Sequence, residues 1–137
     1  MLSTIWSEKI QGILMLERSR DSRFQEDKKD IILNSLRIKN SKIIVDMGCG
    51  PGTLIFKLEN WLNKDRKFIG IDRDENFIDF AKNKNTKKSI EFIRSDILKT
   101  PLKNSSVDAA ISNTVIEHVP NEEFLLEQKR IDCRIKN

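Results

Sequence analysis

Three glycines alternate directly after an acid that ends a short apolar run. The run Ile43–Val45 leads into Asp46, and an amphipathic helical pattern begins at Thr53. The glycines between them are Gly48, Gly50 and Gly52. Glycine adopts positive φ angles and lets the backbone approach a ligand without a Cβ in the way. A helix start adds unpaired N–H groups and a partial positive charge. The stretch therefore indicates a nucleotide-type binding turn, and an ordinary strand-to-helix turn is the alternative.

Two further acids follow apolar runs later in the chain. Asp72 ends the run that begins at Phe68, and Asp96 follows the run 89–94. Asp72 lies twenty residues after Gly52, the separation at which an acid meets a ribose in nucleotide-binding units. Asp96 could accept a hydrogen bond from an adenine amino group. Each acid alone is more often a helix cap or a solvated strand end, but together with the glycine turn they favour a nucleotide site.

Strands and helices alternate along the central part of the chain. The predicted strands end at Asp46, at Asp72, at Arg94 and at Ser112, and helical patterns lie between the first three and after Asn121. This alternation predicts an α/β fold with a parallel sheet and right-handed crossovers. Ligands of such sheets bind beyond the carboxyl ends of the strands. We therefore expect the glycines and the acids at one edge of the sheet.

The first forty residues predict two helices. Apolar residues at helical spacing predict an amphipathic helix over about residues 4–17. The charge-dense stretch Glu17–Phe24, with three arginines, is predicted to be a loop. Acids at Glu26, Asp27 and Asp30 favour the start of a second helix. We assign residues 1–40 to an N-terminal helical extension that packs as a lid, and 41–137 to the ligand-binding domain.

Length and charge bound the class of protein. A chain of 137 residues holds one domain at most, and 34% charged against 38% hydrophobic residues allows a modest core. The net charge of +4 is mildly basic, with a lysine cluster at 82–88 and further basic residues in the tail, namely Lys129, Arg130, Arg134 and Lys136. No aromatic residue interrupts that cluster, so a solvated face is favoured over a nucleic-acid footprint.

Cysteine content and hydropathy point to the cytoplasm. Cys49 and Cys133 lack metal-ligand spacing and cannot form a disulfide framework, which predicts a reducing compartment and no metal site. Glu8 interrupts the apolar N-terminal stretch, so no signal peptide is expected. No apolar run approaches the length of a membrane span.

Four segments, in order, resemble the motifs of class I S-adenosylmethionine-dependent methyltransferases. They are VDMGCGPG, IGIDRDENFIDFA, RSDILKTPL and VDAAISNTVIEHVP, and the resemblance runs from Lys42 to about Arg130. It implies a Rossmann-like parallel sheet of about four strands in the order 3-2-1-4, with S-adenosylmethionine as the cofactor. A nicotinamide-dependent oxidoreductase is the alternative, but its G-x-G-x-x-G spacing differs from the pattern in this chain.

The resemblance also implies which residues bind the cofactor. Asp46 and the three glycines would line its methionine and ribose portion, and Asp72 would hold the ribose hydroxyls. Arg73 would lie along the adenine, while Arg23 is a candidate partner of the cofactor carboxylate. The full set of cofactor-binding residues is Asp46, Gly48, Cys49, Gly50, Gly52, Asp72, Arg73, Asp96, Ile97, Ser112 and Asn113.

The implied reaction is attack by a substrate nucleophile on the sulfonium methyl. The cofactor supplies the reactive carbon, so the protein mainly positions and desolvates the reactants. A general base is needed only if the nucleophile arrives protonated. Glu117 and His118 are the candidates, and a structural histidine is the alternative reading of His118. A small-molecule acceptor is favoured, although a lipid, a ring, an amine and an RNA base are not distinguished.

The end of the chain departs from the family. Family members continue with a glycine-containing turn and three more strands, whereas here LLEQKRI leads into DCRIKN. We therefore expect a truncated methyltransferase whose fourth strand is an open apolar edge, covered by a second copy or by a partner chain. The alternative is a non-catalytic cofactor-binding fragment that regulates a complete enzyme.

Overall fold

The computed structural model describes residues 2–62, 64–113 and 121–135, with side chains from residue 9 to residue 134 within those ranges. The helices are α1 (Leu2–Arg23), α2 (Lys29–Leu36), α3 (Thr53–Trp61), α4 (Glu75–Lys84) and α5 (Asn121–Ile131). The strands are β1 (Ile43–Met47), β2 (Lys67–Asp72), β3 (Ile90–Arg94) and β4 (Ala109–Ile111). Short 3-10 helices cover Glu26–Lys28 and Cys133–Ile135.

The four strands form one parallel sheet in the order β3-β2-β1-β4, which confirms the predicted fold. In β1, Val45 lies opposite Ile69 of β2 and Ala110 of β4. The inner strands are apolar on both faces because helices cover both sides of a parallel sheet. One core contains Leu33, Leu58 and Ile78 of α2, α3 and α4, and the other contains residues of α5. No helix in the described residues is long and apolar enough to cross a membrane.

Helix α1 is longer than its sequence pattern predicts. The predicted loop over Glu17–Phe24 is wrong, because α1 continues to Arg23. Ile13 and Arg20 are buried on one face of α1, and Phe24, directly after the helix, is buried as well. Arg20 therefore takes a position that apolar spacing alone does not reveal. Two ion pairs with the domain hold the same stretch: Glu17 with Lys84, and Asp21 with Lys57 at 2.7 Å. Tertiary contacts therefore stabilise a helical segment whose many charged residues favour a loop in a prediction from sequence.

The edge of β4 is partly closed by the end of α5. The Ala110 N–H donates to Oδ2 of Asp132 at 2.8 Å, and Nε2 of Gln128 donates to the Ala110 carbonyl at 2.7 Å. Val107 also forms a parallel bridge with Asp132, which is fully buried. The predicted open edge is therefore wrong at Ala110, because side chains that follow β4 satisfy its outward backbone groups.

Candidate cofactor site

The glycine turn after β1 requires a left-handed backbone at each glycine. Gly48, Gly50 and Gly52 have φ angles of 83°, 56° and 86°. The N–H groups of Gly48 and Cys49 both donate to the Ile71 carbonyl, at 2.7 and 2.9 Å. The turn is therefore pinned to the end of β2 and leads directly into α3. The predicted strand, turn and helix start are confirmed.

Asp72 connects the two loops that follow β1 and β2. Its Oδ2 accepts a hydrogen bond from the Gly50 N–H at 3.0 Å, and its Oδ1 accepts one from the Asp74 N–H at 2.9 Å. Each carboxylate oxygen has two lone pairs, so each can accept one more donor. Asp72 is partly exposed, which leaves those positions open to a ligand diol.

Asp46 is a buried carboxyl beside this loop. It is 2% exposed, and its Oδ1 has no hydrogen-bond partner among the described residues. Burial raises the pKa of Asp46 to about 7, a shift that Arg20 opposes and Asp72 reinforces. An unpartnered buried oxygen costs free energy, which a ligand donor such as an ammonium group would recover.

Arg20 of α1 contacts the glycine turn, a residue that the sequence did not single out. Its Nη1 donates to the Cys49 carbonyl at 2.9 Å, and only 8% of the residue is exposed. A Cβ at Gly50 would lie 2.6 Å from the same nitrogen. The candidate from sequence was Arg23, whose side chain is exposed at the end of α1. The helical spacing of Ile13, Arg20 and Phe24 in the sequence is the signal that could have found Arg20.

The residues predicted for the adenine lie at the same edge. Ser95 follows β3 and donates its N–H to the Asp72 carbonyl at 3.0 Å, which brings Asp96 next to the loop after β2. Asp96 and Arg73 are exposed, whereas Ile97 is buried.

The residues predicted for the methionine arm follow β4. Ser112 and Asn113 come directly after Ile111, which is the register partner of Asp46. The topology therefore places them beside the glycine turn at the carboxyl end of β1. The candidate bases Glu117 and His118 lie outside the described residues.

Cys49 has a structural role in the turn. It is fully buried, and burial raises the pKa of its thiol well above the usual range. A thiol in this state is a poor nucleophile, so Cys49 contributes packing and its backbone. No group of His, Cys, Asp and Glu among the described residues could hold a metal ion.

The charged groups of the site fit a zwitterionic ligand with a diol. Asp72 offers acceptor positions for hydroxyls, Asp46 offers an acceptor for an ammonium, and Arg20 offers donors for a carboxylate. Gly48 is the partly exposed glycine of the turn, whereas Arg20 and Phe92 fill the space beside Gly50 and Gly52.

A family model described as a methyltransferase domain matches residues 38–132. The chain belongs to this methyltransferase family. The match begins just before β1 and ends after α5, so it contains every described residue that forms the site except Arg20.

Individual relatives agree with this assignment. A tRNA (carboxymethyluridine(34)-5-O)-methyltransferase of Mus musculus is 31% identical over 66% of this chain and 12% of its own length. A demethylmenaquinone methyltransferase of Lactococcus lactis is 30% identical over 62% of this chain and 35% of its own. A crystal structure of an S-adenosylmethionine-dependent methyltransferase from Aquifex aeolicus superposes with a TM-score of 0.75. It is 28% identical and covers 89% of this chain and 66% of its own. This methyltransferase chain thus spans about a third or less of these curated relatives.

Proposed function

We propose that the chain binds S-adenosylmethionine and catalyses methyl transfer from it to a nucleophile on a small-molecule substrate. The observation that carries the proposal is the Asp72 carboxylate, which is hydrogen-bonded to the glycine turn and keeps two acceptor positions open. An adenosine ligand without a 2′-phosphate has a free ribose diol, and an acid at the end of the second strand can accept hydrogen bonds from both of its hydroxyls. Membership of the methyltransferase family supports this choice over a nicotinamide cofactor.

Different residues of the site bind different parts of the cofactor. Asp72 accepts from the ribose hydroxyls, and Asp96 with the Ile97 backbone binds the adenine edge beside Arg73. Gly48, Cys49, Gly50 and Gly52 present their backbone to the methionine and ribose portion, with Ser112 and Asn113 below the methionine arm. Asp46 accepts from the amino group through its unpartnered oxygen.

The cofactor, when bound, supplies an electrophilic methyl on a positively charged sulfur. The chain's own residues orient it and exclude water, since fixed orientation accounts for much of the acceleration of such reactions. Asp46 loses its proton when an ammonium lies beside it, because a nearby cation lowers the pKa of a carboxyl. Glu117 and His118 remain candidates for a general base where the acceptor arrives protonated.

Residues 1–40 act as a lid in this proposal. Arg20 links α1 to the glycine turn, and the ion pair between Asp21 and Lys57 links α1 to α3. The guanidinium of Arg20 lies close enough to the turn to pair with the cofactor carboxylate. Its burial makes it a stronger candidate for that contact than Arg23.

The place of action and the assembly are part of the same proposal. Two free cysteines fit the reducing cytoplasm. A second copy or a partner chain could still pack beside β4, since Asp132 and Gln128 close that edge only around Ala110.

Calorimetric titration with S-adenosylmethionine tests the proposal. We expect saturable binding by the wild-type chain and at least tenfold weaker binding by Asp72→Asn, which retains the side-chain shape but loses the charge. Asp79→Asn, an exposed acid on α4, is the matched control and should bind like the wild type. Thermal unfolding of each variant verifies that it is folded.

Three outcomes are decisive. Binding of S-adenosylmethionine with methyl transfer to a screened acceptor supports the whole proposal. Binding without transfer to any acceptor class supports the alternative of a non-catalytic cofactor-binding module. Binding of NADH in preference to S-adenosylmethionine overturns the cofactor assignment.

A further inference from the structure

Basic side chains are concentrated at the amino ends of the strands, opposite the cofactor site. Three segments enter β1, β2 and β3 there: 37–42, 64–67 and 87–89. Their exposed cations are Arg37, Lys39, Lys42, Lys64, Lys67, Lys87 and Lys88, which we call the basic edge. Asp65 is the one acid within these three segments, and Lys67 pairs with Glu91 at 3.5 Å. The basic edge therefore carries a clear excess of positive charge.

Backbone pairing holds the segments of the basic edge side by side. The Lys67 N–H donates to the Lys42 carbonyl at 2.7 Å, and the Phe68 N–H donates to the Ser89 carbonyl at 2.8 Å. These bonds continue the parallel sheet into its entry loops. The cations thus form a row across three strands, roughly 10 Å wide at the usual strand spacing. In the sequence the nearest cations of successive segments are 22 positions apart (Lys42 and Lys64) and 20 positions apart (Lys67 and Lys87).

Two arginines bind the backbone of the first of these segments to other parts of the chain. Arg66 donates to the carbonyls of Lys39 and Ser41, both at 2.6 Å. Arg134 donates to the Arg37 carbonyl at 3.0 Å from the far end of the chain. Both guanidinium groups are used internally, so the lysines around them stand on a fixed scaffold.

We propose that the basic edge binds the phosphate backbone of a duplex nucleic acid. A dense row of solvated cations with few acids is complementary to the regular charge of a duplex, and binding gains from the release of its counterions. The prediction of a merely solvated face considered only the lysine cluster at 82–88. In the sheet, the cations before β1 and β2 lie beside Lys87 and Lys88 of that cluster. The combined set of positive charges is larger than the cluster alone, which favours a polyanion partner.

The composition of the edge decides among polyanions. The exposed large apolar residues of the described chain are Leu14, Met15, Ile31, Leu125 and Leu126, and none belongs to the three segments. An acidic protein partner would need an apolar centre to its interface, and a membrane surface would be anchored more firmly by inserted apolar side chains. The segments also lack aromatic residues for stacking on single-stranded bases, so duplex phosphates are the best fit.

Fluorescence anisotropy with a short labelled RNA duplex, without cofactor, tests the proposal. We expect binding whose logarithm falls linearly with the logarithm of salt concentration. The variant Lys39→Glu/Lys87→Glu/Lys88→Glu should bind at least tenfold more weakly. Its salt dependence should be shallower, with the magnitude of the slope smaller by about 3, one unit per lost phosphate contact. The matched control Lys9→Glu/Lys28→Glu/Lys99→Glu changes three exposed lysines elsewhere and has the same net charge. It should retain most of the binding.

The comparison arms make every result informative. Equal loss in the two variants would overturn the proposal, since net charge alone would then explain the binding. No binding by the wild type at low salt would also overturn it. Tighter binding to polyglutamate or to phosphatidylserine vesicles than to the duplex would overturn the proposal and indicate an acidic protein or a membrane as the partner of the basic edge. A duplex DNA of the same sequence should bind similarly, because phosphate contacts carry no base information. None of these results depends on cofactor binding.

Discussion

Two charged groups at the carboxyl ends of the strands are buried, whereas the lysines at the amino ends are exposed. At the carboxyl ends, Asp46 is buried with an unpartnered oxygen and Arg20 is buried against the turn. At the amino ends, Lys39 and Lys87 are exposed on segments whose backbone groups are satisfied by neighbouring strands and by Arg66.

This difference separates two ways of preparing a surface for a ligand. The carboxyl edge holds a carboxyl out of water with one oxygen unpartnered, which costs folding free energy. Its left-handed positions are glycines, which adopt that backbone without strain. A small ligand that donates a hydrogen bond to that carboxyl recovers this free energy when it binds. The amino edge has costs of its own, a left-handed backbone at Arg37 and Asp65 and an unpartnered Nε of Arg66. Its lysines, however, are exposed, so this edge suits a polyanion that is held by many weak, salt-sensitive contacts.

The largest effect is expected from a Cβ in the glycine turn. A Cβ at Gly52 would lie 2.8 Å from Cζ of Phe92, at a backbone φ of 86°. We expect Gly52→Ala to destabilise the protein by about 2–4 kcal/mol, from left-handed strain and overpacking together. Urea unfolding measures the change. Gly12→Ala is the control, because a Cβ there meets nothing within 4 Å and should stabilise α1 slightly. A Gly52→Ala protein as stable as the wild type would contradict the conclusion that the turn at Gly52 has no room for a Cβ.

The next effect is a pH dependence that Asp46 introduces. Because burial raises the pKa of Asp46 to about 7, the folded state retains a proton that the unfolded state loses above pH 3.8. The contribution of Asp46 to stability is therefore full at low pH and is lost as the pH rises from 3.8 to about 7. We expect the free energy of unfolding of Asp46→Asn to exceed that of the wild type by about 2–4 kcal/mol at pH 8, since each unit of the pKa shift is worth about 1.4 kcal/mol. This gain should vanish near pH 4. Asp79→Asn should show no such difference, and a pH-independent effect of Asp46→Asn would contradict the assignment.

The smallest effects belong to the amino edge. Arg66→Ala should cost about 1–2 kcal/mol, because three carbonyls lose a charged donor that is partly shielded from water. Lys39→Ala should change the unfolding free energy by less than about 0.5 kcal/mol, as exposed surface substitutions usually do. Thermal or urea unfolding of both variants gives the comparison. A large cost for Lys39→Ala would show that its charge serves the fold rather than a partner.

Local patterns made much of the fold predictable. The apolar run before Asp46 and the alternating glycines each act within a few residues, so the local sequence pattern reveals them. The structure adds a contact of the same local kind, in which the Asp74 side chain accepts from the Asn76 N–H at 2.9 Å and caps α4. The parallel order followed from the family resemblance and from alternation of strands with helices.

Contacts between distant segments were not predictable in the same way. Arg20 reaches Cys49 across 29 positions, and its charge concealed the continuation of α1 from a search for apolar spacing. Asp132 reaches Ala110 across 22 positions and closes an edge that the strand pattern left open. Both depend on where two helices pack, which no local pattern contains.

The sequence by itself determined the strand, glycine turn and helix that start the cofactor site, together with the acids Asp46, Asp72 and Asp96 at the ends of three strands. Those features arise from φ preferences, strand pleating and helix capping, which act between near neighbours. Only the tertiary structure decided that α1 places Arg20 on the turn, that Asp132 closes β4 and that three separate basic segments form one edge. A parallel sheet brings together loops far apart in the chain, and only its hydrogen-bonded order specifies which charges become neighbours.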